Sequence, residues 1–330
     1  MSVDARLRIA LQDGLIALPS DGRIAVIGPM AGMDLCALPR ERCDLISTFR
    51  PDTDYFERQN WTCRIRPEGR YALVLVIVAR SRALTLMRLA QAAAICDGSI
   101  IVDGAKTDGV EALLKACRGA GETSAALSKA HGKAFTFNPG AQVAAWASGE
   151  PSRIDDTYMT APGVFSSDGI DPASALLAAQ LPRKLGRQVA DLGAGWGYLA
   201  AQALERSDID ALHLVEAEHA ALECARQNVA DPRAVFHWAD ATRWQAPTPI
   251  DALLMNPPFH VGRSGEPAMG QAFIAAAARQ LAPRGTLYMV ANRHLPYEAE
   301  LHRVFGRVES IGDDSRFKIF VASRPARTAR

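Results

Sequence analysis

Metal-binding and disulfide patterns are missing from this sequence of 330 residues. Its six cysteines contain no C-x-x-C pair, and its seven histidines form no ligand cluster. Scattered cysteines are typical of reduced, mostly buried thiols in a cytosolic protein rather than of zinc sites or disulfides. We therefore expect no metal site. The cysteines stand at positions 36, 43, 63, 96, 117 and 224.

Long apolar runs are missing too. The longest one, residues 71–79, is far shorter than the roughly 20 residues that span a bilayer. Residues 1–20 carry Asp4 and Asp13 where a signal peptide would be apolar. With 48% hydrophobic and 22% charged residues, the chain has the composition of a folded, soluble protein of about two domains. We expect a cytoplasmic location.

An excess of charge of one sign is also missing. The formal net charge is +1, so the overall electrostatics do not indicate a nucleic-acid-binding protein. The local distribution differs, because residues 58–88 hold seven arginines and one acid, Glu68. Two interpretations stay open on charge alone: an ordinary solvated face, or a surface that contacts phosphates. The candidates for phosphate contact are Arg58, Arg64, Arg66, Arg70 and, near the C-terminus, Lys318.

The domain boundary is predicted near residues 148–163 (SGEPSRIDDTYMTAPG), where Gly, Pro, Ser and Asp replace apolar periodicity. The predicted domains are residues 1–150 and 151–330. Both alternate short apolar strands with amphipathic helices, which predicts an α/β fold with mainly parallel sheets. The predicted strands of the first domain are 23–28, 44–48, 71–79 and 98–103. Those of the second are 188–192, 211–216, 234–238, 250–255 and 286–291, closed by a hairpin of 307–312 and 316–322.

Helices are predicted between the strands of the second domain. The first of them is opened by Asp171, which suits an N-cap, and by Pro172, which suits the first helical position. The others are 198–206, 218–229, 267–281 and about 296–305.

A glycine loop, residues 191–197 (DLGAGWG), follows the first predicted strand of the second domain. Gly193 and Gly195 lack a Cβ, so the backbone can turn tightly and approach a ligand closely. The G-x-G-x-G spacing differs from the G-x-G-x-x-G of dinucleotide enzymes. The preceding Asp191 can face an ammonium group, which S-adenosylmethionine has and a dinucleotide lacks. The loop therefore favours S-adenosylmethionine as the cofactor.

Two more acids follow the next strands. Glu216 ends the second strand of this domain, where it can accept hydrogen bonds from both ribose hydroxyls of a nucleotide. Asp240 follows the third strand and can accept from an adenine amino group. A carboxylate that only faces water is the alternative for each.

The motif that decides the chemistry is Asn256-Pro257-Pro258-Phe259-His260, directly after the fourth strand. A planar amino nitrogen is a poor nucleophile because its lone pair is delocalised. The Asn256 side-chain oxygen and the Pro257 carbonyl can accept its two N–H groups and aim the lone pair at a methyl donor. Phe259 offers a face for a flipped-out base. His260 is interpreted as a loop residue.

With these motifs in place, the chain resembles the bacterial ribosomal RNA guanine-N2 methyltransferases, the family of small-subunit methyltransferase C and its large-subunit relative. The resemblance rests on the Asn-Pro-Pro-Phe-His run together with PGVFS at 162–166, GID at 169–171, ANRHLPY at 291–297 and RFK at 316–318. The family's glycine loop commonly has Cys where this chain has Ala194, a tolerable change.

The resemblance implies a class I, Rossmann-like methyltransferase domain preceded by a degenerate methyltransferase-like α/β domain that has lost cofactor binding and docks RNA. It places Phe165 and Ser166 beside the cofactor and residues 256–259 around the guanine. We predict transfer of a methyl group to the N2 amine of a guanine in 16S ribosomal RNA. Alternatives are a guanine of 23S RNA, glutamine-N5 methylation of a protein, and a non-catalytic RNA-binding ribosome-assembly factor.

Overall fold

Short runs of aliphatic residues form central parallel strands in both halves of the chain. The computed structural model describes residues 3–147, 152–154, 156–258, 267–313 and 315–326. The chain splits into two compact units, Met1–Pro151 and Ser152–Arg330. No helix within the described ranges has the length and apolar character needed to cross a membrane.

Unit 1 is a mixed sheet flanked by helices. Its helices are α1 Val3–Gln12, α2 Arg50–Glu57, α3 Arg82–Ile95 and α4 Val110–Ala120. Its strands are β1 Ile24–Ile27, β2 Cys43–Ile46, β3 Thr62–Arg64, β4 Tyr71–Ile77, β5 Cys96–Ala105, β6 Gly121–Thr123, β7 Leu127–Lys129 and β8 Gly132–Pro139. The strand order is β3-β2-β1-β4-β5-β8-β6, with β7 also on β8. Strands β1 to β5 run parallel, and β8 is antiparallel to its neighbours.

Unit 2 opens with an antiparallel pair, β9 Ser152–Ile154 and β10 Tyr158–Thr160. Its helices are α5 Pro172–Gln180, α6 Tyr198–Leu204, α7 His219–Asn228, α8 Pro267–Gln280 and α9 Glu298–Val304. The strands of its main sheet are β11 Gln188–Leu192, β12 Ala211–Glu216, β13 Ala234–Trp238, β14 Ile250–Met255, β15 Leu281–Asn292, β16 Phe305–Asp313 and β17 Phe317–Pro325. They are ordered β13-β12-β11-β14-β15-β17-β16.

The topology of unit 2 confirms the predicted class I architecture. Strands β11 to β15 pair in parallel, and β17 pairs antiparallel with both β15 and β16. β11 lies between β12 and β14, and the chain order reverses direction at β11. The carboxyl ends of these three parallel strands therefore lie side by side at one end of the sheet. Ligands of open α/β sheets bind at such a point. The glycine loop, Glu216 and the Asn-Pro-Pro turn all leave the sheet there.

The core of unit 2 has two apolar layers because side chains alternate between the faces of each strand. Ala190 and Leu192 of β11 pack with α8 and α9, represented by Ile274 and Leu301. The opposite layer contains Val189, packed with residues of α5, α6 and α7. With helices on both faces, the central strands are buried on both sides, which explains their continuous apolar sequences.

Candidate active site

The glycine loop is held in a conformation that side chains rarely adopt. Gly193, Gly195 and Gly197 have φ values of +74°, +55° and +92°, in the left-handed region that favours glycine. The Gly193 N–H donates to the carbonyl of Val215 at 2.9 Å, which fastens the loop to β12. A Cβ on Gly197 would lie 2.8 Å from Val229. The backbone of the turn therefore favours glycine at all three positions, and packing requires it at Gly197 as well.

Glu216 stabilises this loop through its side-chain carboxylate. Its Oε2 accepts from the Gly195 N–H at 2.8 Å, and its Oε1 accepts from the Glu218 N–H at 2.7 Å. Burial raises the pKa of Glu216. The ribose-binding role stays a prediction, and the structure adds a second role for the same carboxylate.

Asp191 is the least satisfied acid in the described part of the chain. Only 1% of it is exposed, and neither carboxylate oxygen has a hydrogen-bond partner of good geometry among the described residues, although the Ala200 backbone N–H lies near enough to oppose the rise in its pKa. Burial, and after it the Glu216 carboxylate, raise the pKa of Asp191 to about 7. A buried carboxylate without a partner is costly unless a ligand supplies one. Residues 191–197 and Glu216 thus fit a ligand that carries a cation and hydroxyl groups, as S-adenosylmethionine does.

Asn256 is the first residue after β14, and its amide is fixed from behind. Nδ2 donates to Asp171 Oδ2 at 2.8 Å and to Ser174 Oγ at 2.9 Å. The same Asp171 oxygen accepts from the Ser174 N–H at 2.8 Å, which confirms the predicted N-cap of α5. Pro257 is buried and Pro258 is exposed. Phe259 and His260 lie outside the described residues.

Phe165 and Ser166 are anchored by the glycine loop. The Trp196 indole N–H donates to the carbonyls of Phe165 and Ser166 at 3.2 and 3.3 Å. Ser166 has φ +52°, and its hydroxyl donates to the Gly169 carbonyl at 2.7 Å. Phe165 is 53% exposed, which leaves its ring open to a planar ligand.

One cleft brings most of these groups together. Its lining includes Phe165, Ser166, Asp171, Ser174, Gly193, Gly195, Trp196 and Asn256. Asp191 and Glu216 do not line this cleft, but Asp191 stands two residues before Gly193 of the glycine loop, and Glu216 accepts from Gly195 within it. The sequence-predicted cofactor and substrate residues from three separate segments are therefore neighbours in space.

Asp240 is already engaged in its own turn. Its Oδ1 accepts from the Thr242 N–H at 2.8 Å and from the Thr242 hydroxyl at 2.6 Å. It follows β13, two strands away from β11 in the sheet. Contact with an adenine amino group stays a prediction, which Oδ2 would have to fulfil.

The predicted phosphate-contacting residues fall into two groups. Arg64 forms ion pairs with Asp44 at 3.1 Å and Glu68 at 2.7 Å, and Arg70 with Asp97 at 2.5 Å. Lys318 pairs with Glu298. Arg58 and Arg66 belong to the other group, which is exposed. No cluster of three or more His, Cys, Asp or Glu side chains suited to a metal occurs among the described residues.

Some site residues were missed by the sequence analysis. The second contact of Asp171, with Asn256, and the role of Ser174 arise between segments 82 and 85 residues apart, so no local pattern marks them. Trp196 could have been found from the sequence, because a large indole inside a tight glycine loop indicates a specific packing or hydrogen-bonding role. Its backbone carbonyl also accepts from the Asn228 amide at 2.7 Å.

Comparison with known families identifies this arrangement. A family model described as "Methyltransferase small domain" matches residues 156–321, half of the chain and nearly all of unit 2. The chain belongs to this family. The match includes the glycine loop, Glu216 and Asn256.

Several relatives carry the names of ribosomal RNA methyltransferases. The chain is 36% identical to ribosomal RNA large subunit methyltransferase G of Shewanella amazonensis over 166 residues, which cover 48% of this chain but only 43% of that protein. It is 28% identical to ribosomal RNA small subunit methyltransferase C of Pseudomonas aeruginosa over 323 residues, which cover 94% of both chains.

The fold of the whole chain has a solved counterpart. A T. thermophilus 16S rRNA N2 methyltransferase, solved in complex with AdoMet and guanosine, superposes with a TM-score of 0.79. The match covers 93% of this chain and 90% of that one, at 24% identity. The likeness establishes a shared class I fold.

Proposed function

We propose that this methyltransferase transfers a methyl group from S-adenosylmethionine to the N2 amine of a guanine in small-subunit ribosomal RNA. The observation that carries the proposal is the cleft in which the Asn-Pro-Pro turn stands beside the glycine loop. An amine acceptor and a methyl donor would meet in that space. An RNA substrate of this kind implies a cytoplasmic enzyme.

The cofactor half of the cleft would be built from three contacts. The Asp191 carboxylate would accept the ammonium group, Glu216 the ribose hydroxyls, and the turn at Gly193 and Gly195 would pass close to the ligand. When bound, the cofactor supplies an electrophilic methyl group on a sulfonium centre. Asp191 must be ionised to hold the ammonium group, and ionisation is favoured by that ion pair.

The substrate half orients a weak nucleophile. Asn256 Oδ1 and the Pro257 carbonyl would accept the two N–H groups of the amine, so its lone pair points toward the cofactor side. This is catalysis by positioning and by preorganised acceptors. The exposed ring of Phe165 offers a stacking surface, and Phe259 is predicted to offer another. After transfer the positively charged amine releases its proton readily to water.

The choice of the small-subunit RNA is supported by the extent of the likeness. The relative named for the small subunit matches along 94% of its length, while the large-subunit relative matches along 43%. The fold neighbour from T. thermophilus, solved in complex with guanosine, supports guanine as the base. Glutamine-N5 methylation of a protein would give the arginines of unit 1 no role.

The test is methylation of defined substrates. Purified enzyme and S-adenosylmethionine are incubated with small subunits, large subunits or protein-free RNA from a strain lacking the gene. Nucleosides are then analysed by mass spectrometry. We expect N2-methylguanosine in 16S RNA. Methylation confined to 23S RNA or to a protein would refute the substrate.

Asn256→Ala serves as the mechanistic variant in the same assay. Loss of a preorganised hydrogen-bonding group should lower the rate by about 10²–10³. Cofactor affinity, measured by calorimetry, should stay near wild type because the amide faces the substrate half. Full activity of this variant would contradict the proposed role of Asn256.

A further inference from the structure

The amide of Asn256 uses both of its N–H groups on the protein. One meets Asp171 Oδ2 at 2.8 Å and the other meets Ser174 Oγ at 2.9 Å. A primary amide has two donors and one acceptor oxygen. Its donors are therefore consumed by α5, and Oδ1 is the atom left for a ligand in the cleft.

The opposite orientation of this amide is excluded by the same neighbours. An ionised carboxylate only accepts hydrogen bonds. If the amide were flipped, Oδ1 would face the Asp171 carboxylate oxygen, and two acceptors would stand in contact without a proton between them. Asp171 thus fixes which end of the Asn256 amide points into the cleft.

Asp171 and Ser174 are themselves held firmly. The shared Asp171 oxygen caps α5 through the Ser174 N–H, and Ser174 is buried in the first turn. Ala173 and Leu177 on the same helix belong to the apolar core. The orientation of Asn256 is consequently tied to the packing of α5.

We propose that Asp171 and Ser174 are positioning residues that lock Asn256 with its acceptor oxygen toward the substrate. The inference rests on the proposed function and sharpens it. With Oδ1 as the only free group of the amide, the turn selects ligands that present N–H donors. An acceptor that presents a carbonyl or an ether oxygen is rejected, because two acceptors would then face each other.

The experiment separates positioning from helix capping. In Asp171→Ser the short hydroxyl still caps α5 but no longer reaches Asn256. In Ser174→Ala the cap is kept, since Asp171 bonds the backbone N–H, and one acceptor of Asn256 is lost. In Asp171→Asn the amide oxygen can replace Oδ2 toward both partners. Asp168→Ser, an exposed acid in the same segment, is the matched control.

We expect Asp171→Ser to lower kcat by up to about 100-fold, as misplacement of a catalytic group by 1 Å does. Ser174→Ala should lose less. The KM for RNA, cofactor affinity and the Tm should change little in both variants. Asp171→Asn should rescue most of the activity, and Asp168→Ser should behave as wild type. Wild-type kcat in Asp171→Ser would overturn the proposal.

A second readout requires no turnover. Side-chain amide signals of Asn256 in ¹⁵N-labelled protein are identified by their loss in Asn256→Ala. Two hydrogen-bonded protons should exchange slowly with solvent, and Asp171→Ser should speed up their exchange. Exchange as fast as at the exposed Asn60 in the wild-type protein would refute the locked amide. If the wild type methylates no guanine while slow exchange is observed, the proposed function fails and the locked amide stands.

Discussion

At the scale of single residues, the pair of acids on β11 and β12 predicts that cofactor binding depends on pH. Asp191 is buried without a partner, and burial together with the Glu216 carboxylate raises its pKa to about 7. An ammonium ligand binds the ionised form. Below pH 7 a proton must therefore leave Asp191 before the ion pair can form.

The predicted consequence is that cofactor affinity falls as the pH falls below about 7. The dissociation constant should rise by up to about tenfold per pH unit, because one proton is exchanged. Calorimetry between pH 8 and 5.5, in buffers of different ionisation enthalpy, should also detect proton release. Asp191→Asn should bind weakly at every pH. A wild-type dissociation constant that is independent of pH would contradict the assignment of Asp191.

A second pair of titratable residues affects stability rather than binding. His213 Nδ1 and His237 Nε2 lie 2.9 Å apart, with Trp244 against both rings. Burial lowers the pKa of His213 and of His237, and the charge of His213 adds to the effect on His237. The lowered pKa values favour neutral rings in the folded protein, and two neutral rings can share one N–H···N hydrogen bond between the facing nitrogens.

We predict that this pair destabilises the protein in acid. Unfolded histidines gain protons as the pH falls below 6.5, while the folded pair resists protonation, so the free energy of unfolding decreases. The free energy of unfolding should therefore be lower at pH 5.5 than at pH 7.5. Asp191 has the opposite effect on stability. Because its pKa is raised in the folded protein, the folded state binds a proton over the same pH range and becomes more stable as the pH falls.

The measurement is therefore a difference between variants. Urea unfolding of wild type, His213→Leu and the exposed control His302→Leu is compared at both pH values. His213→Leu should lose less stability in acid than the other two. Equal losses in all three proteins would show that the His213–His237 pair does not titrate on unfolding.

At the scale of elements, strands flanked by turn residues could be predicted closely. The bounds of β11, β12, β13 and β14 agree with the predicted ranges, because each strand begins directly after a charged residue or a proline and ends at, or within two residues of, a charged residue, Gly or Pro. β15 begins five residues before the predicted start, at Leu281. α8 ends at Gln280 and Leu281 already pairs with Ile250, so no loop sequence marks the junction.

Short elements of unit 1 escaped prediction. β3, β6 and β7 have three residues each, too few to show a period of two. The candidate site was predictable where motifs are local, as in the glycine loop and the Asn-Pro-Pro turn. The contact of Asp171 with Asn256 was not, because only the fold brings α5 to the end of β14.

The contact between α8 and the residue that precedes α9 predicts that a small helix residue is required at Gly270. Gly270 lies within α8 at the point where the buried Tyr297 hydroxyl meets the helix, and a Cβ there would overlap with that hydroxyl. Gly270→Ala should lower the free energy of unfolding by about 1–3 kcal/mol through overpacking, despite the better helix propensity of alanine. Thermal and urea unfolding measure the change.

Two further variants make this test specific. Gly119→Ala in α4, where a Cβ meets nothing within 4 Å, should instead stabilise by up to about 1 kcal/mol. A Cβ on Gly270 would also overlap with two ring carbons of Tyr297, so the rescue variant must remove the ring. The double variant Gly270→Ala/Tyr297→Leu should lose less stability than the sum of the two single variants, and an additive loss would place the strain elsewhere.

At the scale of the whole molecule, the main sheets of the two units share one strand order. They differ in the residues at the carboxyl ends of the equivalent strands. Ile27 pairs with Ile46 and Val76, as Leu192 pairs with Val215 and Met255. By this register, three residues of unit 1 correspond to the predicted site residues of unit 2. Val26 stands where unit 2 has Asp191, Ser47 where it has Glu216, and Ile77 where it has Asn256.

In unit 1 the counterpart of Gly193 is Gly28, and the space beside Gly28 is filled by a side chain. Gly28 donates its N–H to Ile46, as Gly193 does to Val215. A Cβ on Gly28 would overlap with the Arg88 guanidinium, which donates to the Ile77 carbonyl at 3.0 Å. The guanidinium therefore occupies the space beside this turn that a ligand would need. These residues support the prediction that unit 1 binds no cofactor.

The last prediction concerns how unit 1 would hold RNA. Arg64 and Arg70 are engaged with Asp44, Glu68 and Asp97, so their replacement would disturb the fold as well as any RNA contact. Exposed Arg58 and Arg66 allow a cleaner test. Each phosphate contact contributes about −0.7 to the slope of log affinity against log salt for single strands.

The double variant Arg58→Ala/Arg66→Ala should bind RNA more weakly regardless of sequence, with a salt slope shallower by about 1.4 if both contact phosphates. Cofactor binding to unit 2 and the Tm should be unchanged. Lys115→Ala/Arg118→Ala removes the same charge from the exposed face of α4 and should leave the slope as it is. Equal slopes in wild type and Arg58→Ala/Arg66→Ala would reduce these arginines to an ordinary solvated face, because a phosphate contact cannot be lost without releasing fewer counterions.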